Sequence, residues 1–387
     1  MEKDKTKHIL QALFDEPLSK RDLLVNREKE IQALNMISSL QPSGLYGVCG
    51  ETGIGKTTVL NFLEPDEGKR IYLRLTEKES KEVIIQDILY KLANETKKDG
   101  DSELSKISRE AMEFVIEERT EGSSISASGG VVLTGAVSKS KAKTRRFNVY
   151  QAYDFLDRIL DLLIKRHERV LLLIDELDKE RKDDVLIILD SLKTVLNKKN
   201  LIVILSLPFA IYREYIRDRL RWNESGNLEN ILKDTLFLEP LNERDIQQMI
   251  MKRLKDFPDC FDAESLYEIS RYSDGNPRDA LWISQQIVIS NPQSDRITGP
   301  IAIQTIRNVV ERYFAGSWTL TDRQEKVLRA VLDYRGDRTA LVKRLEQSGL
   351  KRQTAYTYIN RLKKVGLIIE RGNELRVSGK IFYLLSR

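Results

Sequence analysis

The stretch GLYGVCGETGIGKTTVLNFL constrains the fold more than any other part of this chain. It contains the pattern G-x-x-x-x-G-K-T at residues 50–57, between an apolar strand-like segment (45–49) and an apolar helical one (59–63). Glycines let the backbone N–H groups of such a loop converge on phosphate oxygens, and the following helix directs its positive end at the same anion. These residues therefore predict a strand, loop and helix that bind a nucleotide.

The residue types within this loop predict individual contacts. Lys56 is expected to reach the β- and γ-phosphates, and Thr57 is expected to ligate Mg²⁺. The predicted nucleotide contacts of the loop are Gly50, Glu51, Thr52, Gly53, Ile54, Gly55, Lys56, Thr57 and Thr58. The cofactors that follow from the motif are ATP and Mg²⁺.

A second acidic strand completes such a site, and RVLLLIDELDKE provides one. Residues 170–174 are all apolar, which is typical of a parallel strand buried on both faces. Asp175 is expected to hold Mg²⁺, directly or through water. Glu176 is expected to act as the general base for the attacking water.

Three more apolar runs, at residues 70–75, 201–207 and 235–238, alternate with helical segments. This alternation predicts an α/β fold with a doubly wound parallel sheet. Ser206 lies near the end of the second run. It is either a polar group between the acidic pair and the γ-phosphate, or an ordinary serine at the end of a strand.

Three segments carry a family resemblance: IDELD, LEPLNERDIQQMIMKRL (238–254) and SDGNPRDALWISQQ (273–286). Together with the phosphate loop they resemble an AAA+ ATPase of the origin-recognition and replication-initiator type, over about residues 23–286. The resemblance implies slow ATP hydrolysis and a helical lid. It also implies that Arg278 reaches the γ-phosphate from the lid, and that the segment with Val25 covers the adenine.

The same family uses arginines supplied by a neighbouring subunit. The resemblance therefore implies an ATP-dependent homo-oligomer or a partner protein, with candidate arginine fingers Arg217, Arg219 and Arg221. The alternative for each is a solvated, salt-bridged helix.

Positive charge is concentrated at the C-terminus. The chain has a net charge of +5, but residues 321–387 alone contain sixteen Lys or Arg against seven Asp or Glu. Such asymmetry is typical of a nucleic-acid-binding module.

The pattern of this segment is helix, helix-turn-helix and hairpin. Ala355, Ile359 and Leu362 lie on one face of a helix, and a turn signal at residues 371–373 follows. The order resembles a winged-helix domain that binds double-stranded DNA, with Arg352 and Gln353 at base edges. The predicted DNA contacts are Arg352, Gln353, Tyr356, Thr357, Asn360, Lys363, Lys364, Arg371 and Arg376. The alternative is a winged helix that contacts protein.

The predicted domains are an ATPase core (1–240), a helical lid (241–300), and a linker helix with the winged helix (301–387). The core carries an insertion at about 122–146, where Ile125, Val131 and Leu133 alternate around the turn Ser128-Gly129-Gly130. This spacing predicts a basic β-hairpin that contacts DNA or an adjacent subunit. A flexible basic loop is the alternative.

Composition excludes several other classes. Two cysteines make no disulfide framework or zinc finger, and the absence of a long apolar run or signal segment indicates a cytoplasmic protein of the prokaryotic cytosol or nucleoid. A metabolic kinase is excluded because no substrate domain is visible. Two hypotheses remain: an ATP-dependent DNA-binding protein of replication initiation, transposition targeting or a related transaction, or a signalling or antiviral defence switch whose winged helix is a protein clamp.

Overall fold

The structure, a computed structural model, describes residues 3–76, 80–127, 148–177, 182–220, 228–314, 320–334, 336–371 and 374–385. The chain folds as two compact units. Arg27–Glu239 forms the central unit, while Met1–Asn26 and Pro240–Arg387 together form the flanking unit. The flanking unit therefore joins two segments that are far apart in sequence.

The elements are numbered in chain order. The helices are α1 (Lys3–Ala12), α2 (Glu28–Leu40), α3 (Lys56–Asn61), α4 (Lys81–Thr96), α5 (Ser102–Ala127), α6 (Val149–His167), α7 (Lys182–Leu196), α8 (Phe209–Leu220), α9 (Glu243–Arg253), α10 (Ala263–Ser273), α11 (Pro277–Ser290), α12 (Gly299–Phe314), α13 (Asp322–Asp333), α14 (Arg338–Gln347), α15 (Arg352–Lys364) and α16 (Gly379–Leu385). The strands are β1 (Gly44–Gly50), β2 (Lys69–Arg74), β3 (Val170–Asp175), β4 (Leu201–Pro208), β5 (Leu232–Phe237), β6 (Gly336–Asp337), β7 (Ile368–Arg371) and β8 (Glu374–Val377).

Strands β1 to β5 form a parallel sheet in the order β2-β3-β4-β1-β5 within the central unit. Every residue of β1 and β3 is buried, as is β4 up to Leu207. Apolar runs of this kind require cover on both faces of the sheet. The predicted α/β fold with a parallel sheet is confirmed, although β5 begins at Leu232 rather than at residue 235.

Helices pack on the sheet through apolar stripes. The buried residues of α6 recur at intervals of three and four, which brings them to one face: Ala152, Phe155, Leu156, Ile159, Leu160 and Leu163. They share one hydrophobic core with alternate residues of β2, β3 and β4. None of the described helices combines the length and the apolar character that crossing a membrane requires.

The predicted hairpin at residues 122–146 is wrong in its first arm. Helix α5 continues through Ala127, so Ile125 lies in a helix rather than in a strand. A helix satisfies its own backbone hydrogen bonds, whereas an isolated two-stranded hairpin is marginally stable, so extension of the existing helix is favoured over a new strand. The rest of the predicted hairpin, from Ser128 onward, lies outside the described residues.

The flanking unit has two hydrophobic cores. The first joins α1 to α9, α10, α11 and α12, and includes Ile9 and Leu13 from the N-terminal segment. Helix α11 begins at an Asn276 cap followed by Pro277, a favourable combination because proline lacks the N–H that the first turn leaves unpaired. These features position Arg278 in the first turn of that helix.

The second core lies in the C-terminal segment, among α13, α14, α15 and α16. Thr321 caps α13 in a capping box with Gln324. Strands β6, β7 and β8 form a small antiparallel sheet in the order β6-β8-β7. The predicted elements of this segment, three helices and a hairpin, are thus present.

Candidate functional site

The loop at residues 50–57 follows β1 directly and ends in α3. Gly53 and Gly55 adopt positive φ angles of 84° and 102°, a region that side chains other than glycine rarely adopt. A Cβ built on Gly55 would meet nothing within 4 Å, so open space lies beside this residue. The loop therefore has the backbone shape and the adjacent space that a phosphate group requires.

Lys56 crosses the loop. Its Nζ donates to the carbonyl oxygens of Gly50, at 2.9 Å, and Glu51, at 2.7 Å, and the residue is only 4% exposed. An ammonium group has three donors and a flexible stem, so it can exchange a carbonyl for a phosphate oxygen. The predicted role of Lys56 is compatible with this position.

Thr57 and Asp175 meet, as the Mg²⁺ prediction requires. The Thr57 hydroxyl donates to Asp175 Oδ2 at 2.7 Å, and Tyr72 Oη donates to the same oxygen at 2.7 Å. The backbone N–H of Glu176 donates to Asp175 Oδ1 at 2.7 Å, so both oxygens of this buried carboxylate are oriented. Oxygen donors in this small number suit Mg²⁺, which keeps several waters and phosphate oxygens as ligands.

No group of three or more potential metal-binding side chains (His, Cys, Asp or Glu) occurs among the residues that the structure describes. Burial, and then the charge of Asp175, raise the pKa of Tyr72 well above its usual range. Tyr72 therefore remains a hydrogen-bond donor to Asp175.

Glu176 is buried and held by a cation. Its Oε1 accepts from Arg74 Nε at 3.2 Å and Nη2 at 3.0 Å. Its φ angle is +76°, which is uncommon for a residue with a side chain and costs on the order of 1 kcal/mol. Such a backbone conformation is maintained only where the surrounding structure supports it, as it does at many functional sites.

Ser206 lies beside the acidic pair. The register of β3 and β4 pairs Ile174 with Leu205, which brings Ser206 next to Asp175. Ser206 is fully buried, and its Oγ has no hydrogen-bond partner among the described residues. A buried hydroxyl is costly unless a ligand or water provides a hydrogen-bond partner. The position of Ser206 therefore suits the predicted contact with phosphate or water.

Sequence reasoning missed Tyr72 and Arg74. Both lie in β2, whose sequence KRIYLR alternates polar and apolar residues, with Ile71 and Leu73 in the hydrophobic core. The polar residues share the opposite face with Asp175. The alternation in β2 was the sequence signal that could have indicated polar side chains beside Asp175.

The remaining predicted nucleotide contacts are divided between the two units. Glu51 and Thr52 are exposed in the central unit, and Thr58 is partly exposed. Val25 is buried in the first core of the flanking unit. Arg278, in the same unit, pairs with Asp15 through Nε at 2.6 Å, and its side chain is 48% exposed.

The arginine-finger candidates lie on or beyond α8. Arg217 is exposed and pairs with Glu214 at 3.6 Å, while the Arg219 guanidinium lies 5.7 Å from the ring centre of Tyr215. Arg221 lies outside the described residues. Their roles stay predictions.

In the C-terminal segment, α15 buries the predicted face. Ala355, Ile359 and Leu362 are fully buried, and the exposed residues include Arg352, Gln353, Thr357, Asn360 and Lys364. Tyr356 is half-buried under the guanidinium of Arg338, whose Nη2 also donates to Asn360 Oδ1 at 2.6 Å.

Two of the predicted phosphate contacts are engaged within the protein. Lys363 pairs with Glu370, and Arg376 donates to Asp274 Oδ1 at 3.2 Å. The backbone of Arg371 lies in β7, but its side chain is outside the described residues. Lys363 and Arg376 are therefore already engaged by carboxylates of the protein, a fact that composition does not reveal.

Both cysteines are buried thiols. Burial raises the pKa of Cys49 to about 12, against a smaller opposite effect of Lys56, and raises that of Cys260 to about 11. Both groups stay protonated near neutral pH and are therefore poor nucleophiles.

Comparison with known proteins agrees with this geometry. A sequence profile of the KAP family P-loop domain matches residues 28–294, and no curated protein matches the sequence. A solved Walker-type ATPase of Pyrococcus abyssi has a TM-score of 0.56 at 13% identity, covering 97% of this chain and 99% of that one. The RuvB Holliday junction branch migration motor of Thermotoga maritima has a TM-score of 0.40 at 14% identity, covering 97% and 99%.

The similarity to the Pyrococcus abyssi ATPase shows a shared fold. The profile match is more specific, because it spans more than half of the chain and includes the loop with Lys56, strand β3 with Asp175, and Glu176 directly after it. The chain belongs to the KAP family of P-loop NTPases, and it is an ATPase.

Proposed function

We propose that this ATPase binds ATP with Mg²⁺, hydrolyses it slowly, and uses the nucleotide to control binding of its C-terminal segment to double-stranded DNA. Thr57 and Asp175 would hold Mg²⁺, which neutralises phosphate charge when bound. Lys56 would contact the β- and γ-phosphates, and Ser206 would orient the attacking water. Glu176 would accept the proton of that water.

The DNA part of the proposal rests on the surface of α15. The helix has the sequence RQTAYTYINRLKK, without any acidic residue, and Gln353, Thr357, Asn360 and Lys364 form an exposed polar stripe opposite its buried face. Arg352 and Lys364 have no ion-pair partner among the described residues. Such cations suit contacts with the phosphates of DNA, and the polar helix face between them suits contacts with base edges in the groove.

The order of α13, α14, α15 and the β7-β8 hairpin supports a winged helix whose α15 enters the major groove. Arg361 extends the set of candidate phosphate contacts, because it is exposed and also unpaired among the described residues. Lys363 and Arg376 would have to leave Glu370 and Asp274 to contribute.

The motifs that resemble origin-recognition ATPases support a role in replication initiation, transposition targeting or a related DNA transaction in the prokaryotic cytosol or nucleoid. In such a role ATP would drive assembly of a homo-oligomer or binding of a partner protein. An arginine of α8 would then complete the neighbouring site.

A signalling or defence switch is the second candidate, and the contacts of α16 favour it. The N–H of Gly379 donates to Asp274 Oδ2 at 2.8 Å, and Lys380 Nζ to Asp279 Oδ2 at 2.6 Å. Tyr383 Oη also bonds the backbone oxygen of Glu268 at 3.0 Å. These bonds fasten the C-terminal segment to α10 and α11, as a protein clamp would require.

Duplex binding measured by fluorescence anisotropy, with and without ATP, separates the candidates. Arg352→Ala and Lys364→Ala should weaken binding, and Lys364→Ala should reduce the dependence of log Kd on log salt by about one unit. Arg323→Ala, an exposed arginine of α13, is the matched control. Robust ATP turnover without duplex binding at low salt would favour the switch instead.

A further inference from the structure

Arg27 is a buried cation beside the phosphate loop. It directly precedes α2, and its side chain is only 7% exposed. Its Nη1 pairs with Glu30 Oε1 at 3.2 Å, which supplies an opposite charge. Burying an arginine is costly unless its donors are used, so the acceptors of Nη2 indicate which parts of the chain Arg27 holds together.

The acceptors of Nη2 are two backbone carbonyls. One is the oxygen of Glu239, at 2.7 Å, and the other is the oxygen of Ile54, at 3.4 Å. The terminal amino group of a guanidinium carries two hydrogens, so one nitrogen can donate to both. Arg27 thereby joins the phosphate loop to the chain just after β5.

The Ile54 carbonyl matters because of the peptide unit to which it belongs. A trans peptide is planar, and its C=O and the N–H of the next residue point in opposite directions. A carbonyl of Ile54 directed at Arg27 therefore directs the N–H of Gly55 away from Arg27. That N–H belongs to the glycine beside the open space of the loop.

Packing supports the same arrangement. A Cβ on Gly50 would lie 2.9 Å from Ile54 Cγ2 and 3.3 Å from the backbone oxygen of Leu238, so the loop lies against the end of β5. Glu239 is the last residue of the central unit, and Arg27 is the first. The guanidinium thus links the loop, at Ile54, to the first and last residues of this unit.

We infer that Arg27 is a positioning residue for the ATPase site. Through the Ile54 carbonyl it aims the Gly55 N–H at the nucleotide phosphate, and through Glu239 it anchors the loop to the end of the central unit. Arg27 makes no contact with the nucleotide itself in this role. Its loss should therefore act on phosphate binding through the loop backbone.

The test compares Arg27→Ala with Lys29→Ala, an exposed cation of the same helix. Calorimetric titration should show ADP and ATP affinity falling together by about tenfold in Arg27→Ala, which corresponds to the loss of one hydrogen-bond donor. Both nucleotides carry the phosphates that the loop binds, so they should weaken alike. Lys29→Ala should bind both like the unmodified protein.

Hydrogen exchange of residues 50–58 in the nucleotide-free protein separates positioning from a general structural role. Exchange should be faster in Arg27→Ala than in Lys29→Ala, while the strands of the central sheet exchange alike in both. Nucleotide affinity or loop exchange in Arg27→Ala equal to that of Lys29→Ala would overturn the inference.

If Arg27→Ala does not fold, Arg27→Lys decides. It keeps the charge next to Glu30, but its ammonium lacks the planar fork that holds two carbonyls and a carboxylate together. An intermediate loss of affinity, about threefold, is expected as part of the hydrogen bonding is retained. Arg27→Lys with unchanged nucleotide affinity and unchanged loop exchange would refute the role.

Discussion

Replacing Arg74 by alanine tests how the ion pair with Glu176 affects turnover. Nε and Nη2 of Arg74 both donate to Oε1 of Glu176. This oxygen must release one of these donors and bind water instead if it is to accept a proton. The Glu176 side chain is 9% exposed, but that of Arg74 is 59% exposed, so solvent screens the pair. An ion pair of this kind contributes about 1 kcal/mol.

We expect basal ATP turnover of Arg74→Ala to rise about fivefold, the rate equivalent of about 1 kcal/mol. A steady-state phosphate-release assay at low ionic strength measures it. Added salt should raise turnover of the unmodified protein toward that of the variant, because it screens the same pair. Arg109 is an exposed arginine of α5 without an ion pair among the described residues. Arg109→Ala should leave turnover at low ionic strength and its response to salt unchanged.

If Arg74→Ala turns over more slowly than the unmodified protein, Arg74 orients Glu176 for the reaction and does not restrain it. Glu176→Gln is the control for this comparison. It should remove turnover both alone and in combination with Arg74→Ala. Residual activity in the double variant would place the base elsewhere.

Three further predictions concern Glu176, Tyr72 and Arg278. Glu176→Gln should keep ATP bound but nearly stop hydrolysis, since an amide does not accept the proton; equal turnover to the unmodified protein would remove Glu176 from its role. Tyr72→Phe removes a donor that orients Asp175, so Mg²⁺ should bind more weakly. The Mg²⁺ concentration at half-maximal turnover should rise about tenfold. Arg278→Ala should lower turnover while changing stability by less than about 0.5 kcal/mol, because its pair with Asp15 is exposed; Asp15→Asn is the control, and unchanged turnover in Arg278→Ala contradicts the lid role.

The strands and the phosphate loop were predictable because their signals are local. A fully apolar run such as residues 170–174 has no stable place except between two layers, and the loop glycines are required by the backbone angles of Gly53 and Gly55. The buried face of α15 was predictable for the same reason, since helical spacing alone brings Ala355, Ile359 and Leu362 together.

The first arm of the predicted hairpin was wrong because its signal was also local but weak. Alternating residues from Ile125 onward fit a strand, yet a strand needs a partner, while α5 continues by bonding within itself. Period-two patterns in a segment rich in serine and glycine therefore do not decide between the two.

The sequence by itself determined the chemistry of the nucleotide site and the kind of sheet that carries it, because loop motif, acidic strand and apolar periodicity act over a few residues. Only the tertiary structure decided which groups surround that chemistry. Tyr72 and Arg74 reach the acidic pair through strand register, and Arg27 reaches the loop across the end of β5. Those contacts join residues far apart in the chain, and no local pattern encodes which distant partners packing will bring within hydrogen-bond distance.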